Sequence, residues 1–322
     1  MTDSSLEDKT HWSEEKEAIK TNKPLKLVLF LLKVMPSPIP HALCYFIAFF
    51  YLIFSKNARQ FAALYQKQLK EFTNGKVPRR ISPYKQILSF ALCLEEKMEG
   101  WLGKIPYDRV RLQDDDMENL LNRLREGKSA FVISSHLGNL ELMRSLQQEM
   151  SNRCGRKIEV TIIMDMSMSE NFGNTLKEIN PNYSLNVIDS SSFGPDSMLL
   201  IMEHVEKGAL LVVTGDRTSA NNRDKVIVKK FLNRDAKFPY GIFLIPALIK
   251  QPVYYMFGMR EKLSIFNPKY NMHMEKSAID FDCARTERES KIEECCCEYV
   301  EKLEKYCTKY PYQWYNFFNF WS

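Results

Sequence analysis

From residue 111 onward, short apolar runs alternate with stretches of helical periodicity, and this alternation limits the possible folds more than any other feature. The runs are rich in β-branched residues: AFVISS, IEVTIIM, LNVIDS, ALLVVTG and PVYYMFG. Between them lie amphipathic stretches such as ELMRSLQQEM, SENFGNTLKEI and PDSMLLIMEHVEKG. Strands and helices that alternate in this way need crossover connections. The sequence therefore predicts an α/β fold with a largely parallel central sheet flanked by helices.

The limits of this α/β region can also be predicted. The stretch DMENLLNRLREGK has helical spacing and should end near Gly127, because glycine often follows a last helical turn. Residues 262–276 are expected to add one or two edge strands, and a long charged helix should run from about Arg285 to Lys309. We expect one continuous α/β region over residues 111–322, preceded by a helical region over residues 1–110.

Residues 25–54 are far more apolar than the rest of the chain. LKLVLFLLKVM is followed by PSPIP and then by HALCYFIAFFYLIF. Each apolar stretch is shorter than the roughly 20 residues of a membrane-spanning helix, and the prolines separate the two. Two interpretations remain open, namely a buried core helix and a helical hairpin that dips into one leaflet of a membrane.

The residues that follow favour the membrane. Between Lys56 and Arg80 there are seven basic residues and one acidic residue. A basic segment beside an apolar block suits attachment to anionic lipid on the cytoplasmic side of a membrane. The alternative is a helix face in contact with solvent. The net charge of +5 is too small to suggest nucleic acid as a partner.

The cysteines and histidines predict no metal site. Three of the eight cysteines are consecutive and none forms a C-x-x-C pair, which fits neither a zinc site nor a secreted disulfide framework. Structural or surface roles are expected for the histidines without metal-like spacing: His11, His41, His204 and His273. We expect a reducing, cytosolic environment and, from the polar start of the chain, no cleaved signal peptide.

The fifth histidine lies in the segment SSHLGNLEL, directly after the apolar run AFVI. His136 is therefore expected at the carboxyl end of a strand, where the ligand crevice of such sheets lies. Gly138 lets the backbone turn, and Asn139 is a plausible N-cap for a helix that starts near Leu140. Glu141 would then lie in the first helical turn, close enough to meet the imidazole.

A histidine and a carboxylate held together in this way suit acyl transfer from a thioester to an alcohol. Neutral imidazole accepts the proton of the attacking hydroxyl, and the carboxylate fixes the tautomer of the ring. We expect His136 to act as the base and Glu141 to orient it, with backbone amides of the turn helping to hold the oxyanion. The alternative is a structural histidine beside a capping glutamate.

A second motif, ALLVVTGDRTS, should bring Asp216 and Arg217 to the same edge of the sheet. Arg217 can hold a phosphate of a lipid head group or of a phosphopantetheine arm, and Thr218 or Ser219 can add a hydroxyl contact. A salt bridge at the strand end is the alternative. The segment NNRDKVIVKKFLNRDAKF follows, and its basic residues are expected to meet an acidic carrier protein, the bilayer or only solvent.

Together these segments resemble a known family. HLGNLE, VVTGDR and FLNRDAKFPYGIFLIPALIKQPVYYMF occur in the order seen in the lysophospholipid-acyltransferase-like superfamily, and the likeness is greatest to the bacterial lipid A lauroyl/myristoyl (late) acyltransferases. HWSEEKE at the start and YPYQWYNFFNFW at the end also resemble that branch. The chain departs from the family pattern at two places: Asn233 stands where relatives carry glycine, and Gly241-Ile242 where they carry Gly-Pro.

The resemblance implies a monotopic or singly anchored enzyme of the inner membrane, with its active site on the cytoplasmic side. It would move a fatty acyl chain from acyl carrier protein or coenzyme A to a hydroxyl of a lipid or glycolipid precursor, without a bound cofactor. His136 and Glu141 would be catalytic. The residues expected to bind substrate are Gly138, Asn139, Asp216, Arg217 and Thr218.

Two other functions stay open at this point. A non-catalytic lipid-binding subunit of a biosynthetic complex could keep the same fold. An esterase or thioesterase is less favoured, because no serine lies in a G-x-S-x-G nucleophile elbow. The aromatic cluster of residues 314–321 is expected to pack the core or to cover an apolar groove.

Overall fold

A computed structural model describes residues 30–113, 116–164, 186–190, 193–217 and 225–321. Its central element is a seven-stranded sheet in the order β1-β9-β8-β2-β5-β3-β4, and a separate hairpin is formed by β6 and β7. The strands are β1 Val110–Leu112, β2 Ala130–Ser134, β3 Val160–Met164, β4 Asn186–Asp189, β5 Leu210–Thr214, β6 Val226–Phe231, β7 Arg234–Pro239, β8 Val253–Arg260 and β9 Tyr270–Lys276.

The helices flank this sheet or precede it in the chain. They are α1 Pro38–Phe54, α2 Lys56–Phe72, α3 Pro83–Trp101, α4 Asp116–Arg125, α5 Leu142–Cys154, α6 Pro195–Glu206, α7 Tyr240–Ile249 and α8 Arg288–Lys309. One apolar core lies between the sheet and α8, and a second lies on the opposite face beneath α4 and α5. The chain is therefore an α/β protein whose sheet is covered on both faces.

The sheet is mostly parallel, as its apolar runs predict. Strands β8, β2, β5, β3 and β4 are mutually parallel, whereas β9 is antiparallel to β8 and parallel to β1. All five predicted runs form strands, and two of the three predicted helices between them are observed as α5 and α6. The third stretch, SENFGNTLKEI, lies outside the described residues.

In the carboxyl-terminal half one prediction is corrected, and one segment forms strands that the sequence did not predict. Residues 262–276 contribute one strand, β9, and it is not at the edge, because β1 pairs with its outer side. The basic segment that follows β5 is predicted as a surface, and its described part forms the hairpin β6–β7, on which Lys230, Arg234 and Lys237 are exposed. Leu232 and Asn233 turn this hairpin, both with positive φ angles of 52° and 68°. Positive φ at both central residues is the geometry of a type I′ turn.

Helix α1 buries only a narrow stripe of its surface. Its buried side chains include His41, Cys44 and Ala48, whose spacing of three and four residues places them on one helical face. That face packs mainly against α3. By length and composition no single described helix could cross a bilayer, although α1 and α2 taken together could, and they meet at a bend of 96°.

The turn after β2 depends on a glycine, as its sequence suggests. Gly138 has a φ of +78°, and a Cβ placed there would lie 2.1 Å from the carbonyl oxygen of Gly258 on the neighbouring strand β8. The amide of Asn139 donates to that same carbonyl at 2.7 Å. Only glycine combines this backbone conformation with such a close approach of two chains.

We predict that Gly138→Ala lowers the free energy of unfolding by about 3 kcal/mol or more. The left-handed conformation costs a residue with a Cβ about 1–2 kcal/mol, and the contact with Gly258 adds overpacking. Gly103→Ala is the matched control, because Gly103 also has a positive φ (+69°) but has open space around its Cβ position. Urea denaturation should show a loss of about 1–2 kcal/mol for the control. Equal losses in both variants would contradict the packing argument.

Candidate active site

The register of the central strands brings His136 and Asp216 together. Ser134 at the end of β2 pairs with Thr214 at the end of β5. His136 follows two residues after Ser134, and Asp216 follows two residues after Thr214. The amide of Gly215 donates to the carbonyl of Ser134 at 2.8 Å, which extends the ladder by one step. Both side chains consequently lie at the carboxyl edge of the sheet, as predicted for this pair of motifs.

Asp216 is the most enclosed polar group of this edge. Its side chain is 0 % exposed, and its Oδ1 lies 2.8 Å from Nδ1 of His136. The backbone amide of His136 donates to the same carboxylate at 3.0 Å. Nε1 of Trp314 and Nδ2 of Asn316 each donate to Oδ2 at 3.1 Å. The carboxylate is thus surrounded by N–H donors, which is the environment of an ionised acid.

These donors outweigh the effect of burial on the carboxylate. Burial by itself would raise the pKa of Asp216, but the His136 ring, the Arg217 charge and the His136 amide bring it down to about 2. An ionised carboxylate can only accept hydrogen bonds, so the proton between the two side chains belongs to Nδ1 of His136. In neutral imidazole the lone pair is then on Nε2, the nitrogen away from Asp216.

His136 is suited to work as a base near neutral pH. Burial lowers its pKa below the usual value, and the positive charge of Arg217 lowers it further, against the opposing effect of Asp216. The ring is therefore neutral at pH 7, with Nε2 able to accept a proton. The His136 side chain is 29 % exposed while its partner Asp216 is fully buried, so one side of the ring can be reached.

The carboxylate that holds the His136 ring is Asp216 and not Glu141, which corrects the sequence-based assignment. Helix α5 begins at Leu142, two residues later than predicted, so Glu141 precedes the first helical turn. Asn139 does cap this region, because its Oδ1 accepts the amide of Glu141 at 3.0 Å. Glu141 also lines a small cleft beside Val160 and Val212. A contribution of its carboxylate to the reaction stays a prediction.

The first backbone amides of the turn after β2 already donate hydrogen bonds within the protein. The amide of His136 donates to Asp216 and that of Leu137 to Oγ of Ser135. The amides of Gly138 and Asn139 donate to backbone carbonyls of Gln313 and Gly258. These four N–H groups are used within the protein and do not stabilise an oxyanion, and a contribution of the Leu140 amide of the same turn stays a prediction. Gly138 and Asn139 build the turn, and their contact with a substrate stays a prediction.

Arg217 holds the carboxyl-terminal segment. Its Nε donates to Oδ1 of Asn316 at 2.8 Å, and its Nη2 donates to the carbonyl of Tyr315 at 3.0 Å. The guanidinium also lies 5.7 Å from the ring centre of Phe318. Arg217 thus positions Asn316, which in turn donates to Asp216. Binding of a phosphate by Arg217 stays a prediction, and Thr218 and Ser219 lie outside the described residues.

Sequence reasoning missed the part that the last residues play in this site. Trp314 is 1 % exposed and was correctly predicted to pack in the core, but it also donates to Asp216. Asn316 is equally buried, and it connects Asp216 to Arg217. The backbone of Tyr315 donates to the carbonyl of His136 at 2.9 Å. The only available signal was a polar asparagine and a hydrogen-bonding tryptophan within an otherwise aromatic segment.

In comparisons with known proteins, no protein-family model matches the chain and no curated protein matches it significantly.

We predict that Arg217→Gln raises the pKa of His136, because it removes the nearby positive charge that disfavours the imidazolium. Lys97→Gln is the matched control: Lys97 also lowers the pKa of His136, but less than Arg217 does. The pKa can be followed by NMR of imidazole-labelled protein over a pH series. The increase should be larger for Arg217→Gln than for Lys97→Gln, and an unchanged or lower pKa in Arg217→Gln would refute this account.

Proposed function

We propose that the protein is an O-acyltransferase that moves a fatty acyl chain from a thioester of acyl carrier protein or coenzyme A to a hydroxyl of a lipid or glycolipid precursor. The observation that carries the proposal is the pair formed by His136 and Asp216. An accessible imidazole is held through Nδ1 by a fully buried carboxylate, 2.8 Å away. This arrangement fixes the tautomer whose Nε2 can accept a proton.

In the proposed reaction, Nε2 of His136 takes the proton of the acceptor hydroxyl as its oxygen attacks the thioester carbonyl. The new C–O bond gives a tetrahedral intermediate, which collapses with cleavage of the C–S bond. The leaving thiolate then receives the proton from the His136 imidazolium, so the base is regenerated. Asp216 stays ionised throughout and stabilises the imidazolium that forms between the two steps.

Direct attack by the acceptor is favoured over an acyl-enzyme mechanism. The two serines that precede His136 are already engaged: Oγ of Ser134 donates to the carbonyl of Met256, and Oγ of Ser135 accepts the amide of Leu137. Within the described part of the chain, the only side chain hydrogen-bonded to the His136 ring is Asp216. Neither serine is activated as a nucleophile by this base.

The acyl substrate and the lipid acceptor are proposed from the order of motifs that resembles the late acyltransferases of lipid A synthesis. The chemistry of the His136–Asp216 pair agrees with that resemblance, although the partner carboxylate differs from the one expected. The α/β fold is also compatible with it. A lipid acceptor would further explain why an apolar helix is exposed close to an enzyme core.

We further propose that α1 lies in a membrane surface. Its large apolar side chains are 49 % exposed or more at nine positions: Ile39, Leu43, Phe46, Ile47, Phe49, Phe50, Tyr51, Ile53 and Phe54. A contiguous apolar surface of this kind is unfavourable in water and marks an interaction site. Lys56 and Lys67 of the adjoining helix α2 are exposed, which suits anionic head groups. By the resemblance, this would be the inner membrane, with the active site on its cytoplasmic side.

The catalytic proposal predicts that His136→Ala reduces acyl transfer to background, and that Asp216→Asn reduces kcat on the order of 100-fold or more. The assay combines acyl carrier protein and coenzyme A donors with a total lipid extract, and mass spectrometry identifies the lipid that gains an acyl mass. For the wild-type protein, kcat/KM should rise with pH, and the pH at which it is half-maximal should lie below 6.5, because the pKa of His136 is lowered from its usual value.

His204→Ala serves as the control, since His204 lies on α6 and should leave transfer unchanged. Glu141→Gln reports separately on the glutamate that the motif suggests. Undiminished transfer by a folded His136→Ala protein would refute the mechanism. Lipid binding without turnover in the wild type would instead support the non-catalytic subunit, and acyl release to water would support a thioesterase.

For the membrane proposal, the double change Phe46→Asp and Phe50→Asp should abolish flotation of the protein with vesicles of phosphatidylglycerol and phosphatidylcholine. Both side chains are more than half exposed, so the change should not disturb the core. Val228→Asp is the control, because Val228 is also more than half exposed but lies on β6. Equal flotation of all three proteins would count against α1 as the contact surface.

A further inference from the structure

A second cluster of ionisable groups lies among the amino-terminal helices, apart from the pair at the sheet edge. Glu95 and Glu99 are one helical turn apart on α3, and His41 faces them from α1. Nε2 of His41 lies 2.8 Å from Oε2 of Glu95 and 3.7 Å from Oε2 of Glu99. One ligand atom from each residue falls within 4.8 Å of the others, which is a spacing that a single metal ion can bridge.

The side chains of this cluster are buried without adequate hydrogen bonds. Their exposed fractions are 0 % for His41, 6 % for Glu95 and 3 % for Glu99. Both carboxylate oxygens of Glu95, Oε1 of Glu99 and Nε2 of His41 have no hydrogen-bond partner in the described part of the chain. His41 and Glu95 are close, but their contact lacks hydrogen-bond geometry. Buried polar atoms left without partners cost several kcal/mol, so a missing ligand is the natural explanation.

The orientation of His41 points to the same conclusion. Its Nδ1 lies 3.1 Å from the carbonyl oxygen of Ile265, in the segment that follows β8. A carbonyl oxygen can only accept, so Nδ1 carries a proton and, in the neutral ring, the lone pair of Nε2 faces the two carboxylates. Histidines that bind metals usually donate their other N–H to a carbonyl in this way, which fixes the tautomer.

The charges at this place fit a divalent cation. Glu96, which is also buried, is already paired with Arg260 and accepts the hydroxyl of Tyr270 at 2.7 Å. When both are ionised, Glu95 and Glu99 carry two negative charges, which an ion of charge +2 neutralises. A proton on His41 would neutralise only one of them and leave a net negative charge in the interior, which is unfavourable.

We propose that His41, Glu95 and Glu99 bind a divalent first-row transition-metal ion through Nε2 and one oxygen of each carboxylate. One imidazole with two carboxylates suits zinc or manganese, with water completing the coordination. The ion would join α1 to α3 and, through the Ile265 carbonyl, to the chain after β8. Its role is structural, since it holds the base of the exposed apolar helix, and it does not depend on the proposed acyl transfer.

The proposed site differs from the structural or surface role expected for His41, which rested on the absence of metal-like spacing in the sequence. His41 is separated by more than fifty residues from Glu95 and Glu99, so linear spacing could not show that the three meet. The E-x-x-x-E spacing on α3 was visible in the sequence, but such pairs are common on solvated helices. Only the burial of both carboxylates against the imidazole makes the cluster unusual.

The test uses the full-length protein purified without chelators. Elemental analysis should find about one equivalent of zinc or manganese per chain. After treatment with EDTA, thermal unfolding is followed during titration with manganese chloride, which binds thiolates poorly and so avoids the eight cysteines. The wild-type protein should gain thermal stability at saturation, and His41→Gln and Glu99→Gln should bind the ion about 10–100-fold more weakly or worse.

His204→Gln is the matched control, because His204 lies 3.9 Å from Glu159 and this pair is partly exposed to solvent. It should keep both the metal content and the response to manganese. The proposal would be overturned if the purified wild-type protein contained no metal and gained no thermal stability from manganese or zinc. This result does not depend on any variant. A second result would also overturn the proposal, namely a Glu99→Gln protein that is more stable than the EDTA-treated wild type and is stabilised by manganese to the same extent. The manganese effect would then not depend on Glu99, and a proton on His41 would be what balances the charge of the cluster.

Discussion

The fully buried carboxylate of Asp216 is the interaction on which the rest of the sheet edge depends. It accepts N–H groups from two separate parts of the chain: the turn after β2, and the carboxyl-terminal segment through Trp314 and Asn316. Hydrogen bonds to a charged group contribute about 1.5–3 kcal/mol each, and removing the charge would leave several donors buried without an acceptor. The last residues of the chain are thereby fixed against the site, and the imidazole is held in one tautomer.

The strands, the carboxyl-terminal segment and the amino-terminal helices each contribute a different property to the structure. The parallel strands supply a rigid edge at which two loop residues meet, and the carboxyl-terminal segment closes over their buried side. The His136 side chain stays partly accessible, whereas Asp216 is fully buried. The amino-terminal helices contribute a different property, an exposed apolar surface on α1 whose inner face carries the cluster of His41, Glu95 and Glu99. A proposed enzyme that takes a lipid acceptor needs both a base and a way to reach the bilayer.

Much of the fold was predictable because it depends on local patterns. Apolar runs of four to eight residues bounded by turn signals identified all five parallel strands, and helical periodicity identified α5, α6 and α8. The hairpin β6–β7 was missed because its turn uses Leu232 and Asn233 with positive φ, where glycine would have been the usual signal. The inner position of β9 was also missed, because pairing with the three-residue strand β1 involves residues far apart in sequence.

The sequence by itself determined the α/β class, the special turn at Gly138, and the placement of His136 and Asp216 at one edge, because each follows from strand periodicity and the known geometry of parallel sheets. Only the tertiary structure decided which carboxylate faces the ring, because the sequence motif pointed to Glu141, whereas the register of β2 against β5 brings Asp216 to His136. The same holds for the engagement of the turn amides, the contacts of Trp314 and Asn316, and the meeting of His41 with two glutamates. These features depend on contacts between residues far apart in the chain, which are created by packing and are not encoded in any local spacing.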